Sequence, residues 1–456
     1  GTQASYDTLT DVVISGGPWK GNAAATGAHT EPIGFKSANH ITIAGLRMED
    51  SSDHFIMLTG VKDSVVRDCS FRDHFKISTI DQFTKEAVHI DLLPLEENNL
   101  FPSKNITVEN CVFDNVASGV GTHNYGYGQY ETNITVQNCT FRNLLYNCVN
   151  AQSMINLSVT GCTAENCGAF LWMCDSSGTF ASDTVNGCGT RAFSLLDGST
   201  GTIRNCTISD VGSVIVEGGE SVPVDQSTST RAIAILVRDS VGVIEDNTVT
   251  GVQGVGIRVK NGNSLSHISR NNISETTEQG IFVSNDRITV SGNTLRDGHG
   301  IWSEFGESEI FGNTVSNCLY GISEYCGKTH IYDNTVIGSD EAGIQINGTA
   351  EQNGKAVVES NIISDSDLCD VRIGANCSEC VVRNNNTGRP FTFLYSRRSD
   401  ITASGNGVNP PPETPVVSCE VSDTLVTLRW SKADGAAYYE IFRYLPDTNE
   451  LSRVAV

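Results

Sequence analysis

Acids and imidazoles gather early in the chain: Asp53 and His54 open DHFIMLTG (53–60), Glu86, His89 and Asp91 fall in EAVHIDLL (86–93), and His123 lies in SGVGTHNYG (118–126). Cleaving a glycosidic bond needs two carboxyl groups flanking it, closer together for retention and farther apart for inversion. Glu86 with Asp91 offers such a pair, with Asp53 in support. A carboxylate one strand spacing from an imidazole orients it and raises its pKa. That suits Asp91 beside His123, with His89 and His123 positioning substrate or protons. His54, Tyr125, Asn150 and Gln152, with Asp175 and Asp197 at strand ends, complete the expected substrate-lining set. Taken one at a time, each acid reads equally well as a solvated strand residue or a turn former. Their convergence carries the functional reading.

What brings them together is a repeat. The phrase ITVQNCTFRN (134–143) returns as ITVSGNTLRD (288–297). One column of it holds Cys69, Cys111, Cys139, Cys162, Asp183, Cys206, Asn247, Asn271, Asn293, Asn313, Asn334, Asn361, Asn385 and Asn406. Most neighbours in this column are roughly 20 to 28 residues apart, the length of one solenoid coil. Coils stacked at about 4.8 Å place like side chains over one another, so Cys fills space and Asn forms an amide ladder. Asp183 is expected to act as an Asn-like member. A second strand in each coil alternates, as in GIRVKNG (256–262) and GIQINGT (343–349), turning every other residue outward. Threading the outward face from DHFIMLTG through NCVNAQS (147–153), AFLWMCDS (169–176) and RAFSLLDG (191–198) gives the expected floor of a site.

The walls are expected from long additions at 73–85, 93–103, 124–131 and 217–230, because solenoids accept insertions at their turns. A second outward strip, Arg258, Lys260, Trp302, Glu304, Tyr325, Gln345 and Arg372, reads as a solvated face or a substrate extension.

Composition agrees with a turn-rich β solenoid: 44 glycines and 7% aromatic residues in 456. A net charge of −23 argues against a broad face for nucleic acid or anionic membranes. The 15 cysteines are odd in number and placed periodically, so they read as core residues rather than a disulfide framework. Cys377 and Cys380, with Cys369 upstream, lack a second pair at zinc spacing. No metal or cofactor is expected, calcium among the acids being the one ion left open. No apolar run is long enough to span a membrane and no charged-then-apolar leader opens the sequence, so a secreted or cell-surface fragment is expected.

The expected fold class is all-β, a right-handed parallel β-helix over 1–407 without its N-terminal cap. A Pro-rich linker (408–415) and the first strands of a fibronectin type III-like sandwich (416–456) follow, with Trp430 of VTLRWSKADG in the sandwich core. Further domains of a longer parent are expected at both ends.

The repeated coils resemble the pectate lyase and polygalacturonase type of parallel β-helix, a superfamily of carbohydrate-active proteins. Polygalacturonases of that type carry Asn-Thr-Asp, Asp-Asp, Gly-His-Gly and Arg-Ile-Lys on successive coils. Here Ser51-Ser52-Asp53 and Lys85-Glu86 keep one acid each, while Ser118-Gly119 and Asn150-Ala151-Gln152 stand where the histidine and basic grip would be. Gly298-His299-Gly300 and Arg258-Val259-Lys260 occur in reversed order and far from Asp53. The resemblance therefore implies a glycan partner but not pectin. KEAVHIDLL and GVGTHN are also similar to phrases in multidomain bacterial surface β-helix proteins. The leading expectation is a glycoside hydrolase acting on a neutral or amino-sugar glycan. The alternatives are a polysaccharide lyase or epimerase on an acidic glycan, and a non-catalytic glycan-binding adhesin.

Overall fold

The computed structural model describes residues 6–21, 31–74, 85–96, 99–126, 128–212, 232–261, 266–284, 287–374, 376–388, 392–393, 401–407, 417–422, 425–431, 441–445 and 450–455. It divides into two units, 1–282 and 283–456. The expected wall at 217–230, the linker at 408–415 and most of the 73–85 addition lie outside the described residues. Among the described residues no helix is long and apolar enough to cross a membrane.

Both units are built from parallel coils. In the first, Lys104–Glu109 lies between Ile56–Arg67 and Glu131–Gln137, with Ile106 opposite Ile134 and Val108 opposite both Val66 and Val136. The short strand Val112–Asp114 stacks likewise on Ser70–Arg72 and Thr140–Arg142. Inward side chains thus form columns: the rings of Phe71, Phe113 and Phe141 stack at 5.0 and 4.8 Å. Tight corners between strands are made by residues in the left-handed region, where Asn and Asp are tolerated best. Asp68, Asn110, Asn138, Asn205 and Asp246 adopt positive φ immediately before the Cys and Asn column.

That column is the ladder the repeat predicts. Cys69, Cys111, Cys139, Cys162 and Cys206 are buried free thiols. Across the second unit each Asn binds the next: Asn313 donates both its backbone N–H (3.0 Å) and its Nδ2 (2.9 Å) to Asn334 Oδ1, and Asn334 does the same to Asn361. Asp183 is a ladder member, its Oδ1 accepting the Cys162 N–H at 2.8 Å as Asn247 Oδ1 accepts that of Cys206.

The C-terminal residues differ from expectation in one respect. Val417–Ser422 pairs antiparallel with Leu425–Trp430, and Ile441–Leu445 with Glu450–Ala455. Trp430 is 39% exposed rather than in a core, because among the described residues these ribbons stand as separate two-stranded sheets.

Asp183 differs from its Asn neighbours in lacking an amide donor, and its Oδ2 is buried without a partner. Burial pushes its carboxyl up to about 8. The fold therefore holds the proton, and stability falls as pH rises from the unfolded value of about 4 through that range. Asp183→Asn is expected to be near neutral at acid pH and to stabilise by roughly 1–3 kcal/mol once Asp183 would be ionised, measured by urea unfolding at the two pH values.

Candidate functional site

The floor is a set of outward columns on the longest strand of each coil. One column runs Met57, His89, Gly121, Asn150, Trp172, Ser194, Leu236 and Arg258; another pairs Thr59 with Asp91, and Gln152 with Cys174, Leu196, Arg238 and Lys260. The threading read from sequence holds from Glu86 onward. It slips by one residue on the first strand, where Ile56 pairs with Val88. That slip brings His54, rather than Asp53, level with Glu86.

Glu86 is the centre of the site and has no exposure. Its Oε2 lies 3.0 Å from His123 Nδ1, 3.1 Å from His89 Nδ1 and 3.9 Å from His54 Nδ1, while Oε1 accepts Asn150 Nδ2 at 2.8 Å. Gly121 stands in the column between His89 and Asn150, so no side chain of that column separates them. A Cβ there would meet the Asn150 carbonyl oxygen at 1.7 Å, and its φ of +139° also favours glycine. The three imidazoles stack: His54 on His89 at 4.0 Å and 6°, His89 on His123 at 4.8 Å and 23°. The ligand atoms of His54, Glu86, His89 and His123 all lie within 4.8 Å of one another, a set able to hold a metal ion.

Two carboxylates edge this stack and are partly exposed. Asp91 Oδ2 is 3.4 Å from His89 Nε2, and Asp53 Oδ1 is 3.7 Å from His54 Nε2. The expected Asp91–His123 pairing is replaced: His123 turns to Glu86, and Asp91 meets His89. Burial disfavours ionising Glu86, yet hydrogen bonds from His123 and His89 and the charge on those rings outweigh it and hold the carboxyl well below its usual range. Burial likewise opposes charging His89, but its bonds to Asp91 and Glu86 prevail and raise it to about 10. Burial, then the neighbouring His89 charge, lowers His54 to about 4. Asp91 is depressed too, the His89 bond overcoming burial. The result is a buried imidazolium bridging two carboxylates, with a neutral imidazole stacked on it.

The remaining expected residues are placed around this centre. Tyr125 is exposed on the loop after His123. Asp175 and Asp197 sit at coil corners with positive φ. Asp175 accepts from Tyr130 Oη at 3.3 Å and Ser153 Oγ at 3.4 Å, and Asp197 accepts from Arg238 Nη2 at 3.3 Å. Asn150 Oδ1, Gln152 Oε1 and Thr59 Oγ1 are buried without hydrogen bonds. Within the 93–103 addition the Leu93–Glu96 and Asn99–Phe101 strands pair as an antiparallel hairpin.

Three contributors escaped the sequence reading. Lys85 donates its buried Nζ to the Ser52 carbonyl at 2.7 Å, pinning the turn that carries Asp53. Glu131 is fully buried with neither oxygen bonded, and burial raises its carboxyl well above the usual range. Trp172 lies one coil beyond Asn150 and packs on Cys174, Leu196, Ile233, Leu236 and Val255. Its position in AFLWMCDS, outward by alternation, was the available signal.

The second strip has members in both units. Arg258 lies over the Phe282 ring at 4.8 Å. In the other unit Trp302 Nε1 donates to Glu304 Oε2 at 3.3 Å and its ring is 6.3 Å from Tyr325. Arg372 Nη1 is 3.8 Å from Glu341. Gln345 is buried and donates to Ser323 Oγ at 2.7 Å, so it braces the strip instead of projecting from it.

A family model described as the right-handed beta helix region matches residues 99–302 and 232–387. No curated protein matches the chain. Among solved structures it is similar to the surface protein and adhesin PfbA of Streptococcus pneumoniae, at 17% identity, TM-score 0.39, over 61% of this chain and 68% of that one. It is similar also to the catalytic unit of a thermostable GH87 alpha-1,3-glucanase from Streptomyces thermodiastaticus, at 13% identity, TM-score 0.38, over 89% of this chain. The chain spans 64% of that catalytic unit. The periplasmic alginate epimerase AlgG is matched at 10% identity, TM-score 0.37, over 87% of this chain and 85% of that one.

Glu86→Gln removes the buried charge that His89 and His123 bond, and is expected to cost about 3–5 kcal/mol of stability. Asn150→Ala removes one hydrogen bond to that charge and is expected to cost about 1–3 kcal/mol. Urea unfolding of both variants checks the order; an equal or reversed order would mean that the carboxylate does not anchor the stack.

Proposed function

The chain belongs to the family of the right-handed beta helix region, and on that scaffold we propose a secreted or surface enzyme that hydrolyses a glycan laid along the floor of its first unit. The observation that carries the reading is the pair of partly exposed carboxylates, Asp53 and Asp91, each set against a member of one imidazole stack. Glu86 is closed off from solvent, so its role is to position His89 and His123 rather than to touch substrate.

Asp91 supplies the negative carboxylate beside the anomeric carbon, either as nucleophile or as base for water. Asp53, partly exposed, delivers the proton to the leaving oxygen. Gln152, partly exposed, and Tyr125, exposed on the loop after His123, offer polar groups to sugar hydroxyls. Trp172, half-buried in the Asn150 column, offers a face for a sugar ring.

A second reading, a lyase or epimerase on an acidic glycan, is favoured by Arg238, Lys260 and Arg258, which continue the two floor columns. A lyase needs a cation beside the base to neutralise the uronate; these lie several coils from Asp91.

Glycan-array digestion with mass detection separates the readings. Products heavier by one water support hydrolysis, an unsaturated ring supports the lyase, and binding without cleavage supports an adhesin. Asp91→Asn and Asp53→Asn, with the fold retained, are each expected to lower kcat/KM by about 100- to 10,000-fold. Trp172→Ala is expected to act mainly on KM, by about tenfold. Unchanged cleavage by both Asp variants would place the chemistry elsewhere.

A further inference from the structure

We infer that His54, Glu86, His89 and His123 form a binding site for one divalent transition-metal ion of the zinc class. The inference concerns the same residues as the proposed glycan site but does not depend on what that site cleaves.

The first argument is distance. An ion bound tetrahedrally by imidazole nitrogen and carboxylate oxygen at about 2.0–2.1 Å has ligand atoms roughly 3.3 Å apart. Glu86 Oε2 already stands 3.0 Å from His123 Nδ1 and 3.1 Å from His89 Nδ1, and all four residues offer atoms within 4.8 Å of one another. His54 is the outer member. Its Nδ1 donates to the Glu86 carbonyl oxygen at 2.8 Å and lies 3.9 Å from Oε2, so it joins the set by giving up that bond and its proton.

Ligand type is the second argument. Three imidazoles and one carboxylate suit zinc and its neighbours, whereas calcium takes six to eight oxygens. Calcium, the one ion left open by the acidic sequence, does not fit this donor set.

The third argument is the surrounding shell. Metal-binding histidines usually give their other ring nitrogen to a carboxylate or carbonyl, which fixes the tautomer and aims the free lone pair at the ion. His89 Nε2 faces Asp91 and His54 Nε2 faces Asp53. Asn150 ties down Glu86 Oε1, leaving Oε2 as the donor. Metal binding displaces the His89 Nδ1 proton to solvent, and three neutral imidazoles with one carboxylate then leave the bound ion one positive charge, beside which Asp53 and Asp91 stand. His123, 22% exposed at its side chain, opens the set to solvent.

The full chain, stripped with a chelator, is titrated with zinc by calorimetry and with cobalt(II) by visible absorption, in the absence of glycan. One equivalent per chain is expected, together with an absorption band of nitrogen and oxygen coordination and a rise in Tm on adding zinc. His89→Ala and His123→Ala are expected to weaken binding at least about 100-fold and to abolish the Tm rise. His330→Ala, an imidazole paired with Glu359 in the other unit, should leave both unchanged. His123→Asn, at the partly exposed member, serves if the buried variant does not fold. No stoichiometric binding, or binding that survives His123→Ala and His123→Asn, overturns the inference. Metal binding without glycan cleavage upholds it and counts against the hydrolase.

Discussion

The parallel register between successive coils is the constraint on which everything else rests. Each strand bonds to the strand one coil before and one coil after, so a residue cannot move without its column. Once that register is fixed, chemistry follows from sequence period. Phe71, Phe113 and Phe141 must stack, the Asn residues must chain, and His89 must stand in line with Gly121, Asn150 and Trp172. A site built on such a floor is rigid because its residues are held by backbone bonds on both sides.

Much of this was legible in the residues themselves. The Cys and Asn column, the place of Asp183 in it, and the outward positions from Glu86 to Gln152 are all read from repeat length and alternation. What failed was local. The strand opening at Asp53 was aligned one residue early, since DHFIMLTG offers no Gly or Asn to fix its start, and this hid the approach of His54 to Glu86. Nor does alternation say how far a long side chain reaches: Glu86 passes the Gly121 position to meet Asn150, which lies 64 residues away in sequence. Trp430 was expected inside a sandwich from the phrase around it, but burial is a property of the partner sheet, not of the phrase.

The cluster around Glu86 shows how a buried carboxylate is kept in the interior of the coils. Removing a carboxylate from water is costly, and only closely placed hydrogen bonds return that cost. Here His89, His123 and Asn150 bond the carboxylate and His54 bonds the main-chain carbonyl of the same residue, so the cost is met only when these coils are stacked. The cluster thus couples stretches of chain that would otherwise interact only with their nearest neighbours.

The column of buried free thiols has a consequence of its own. A thiol must reach solvent before an alkylating reagent can attack it, and Cys69, Cys111, Cys139, Cys162 and Cys206 each sit on a different coil. The order in which they become reactive is therefore a record, written along the chain, of where the coils first part.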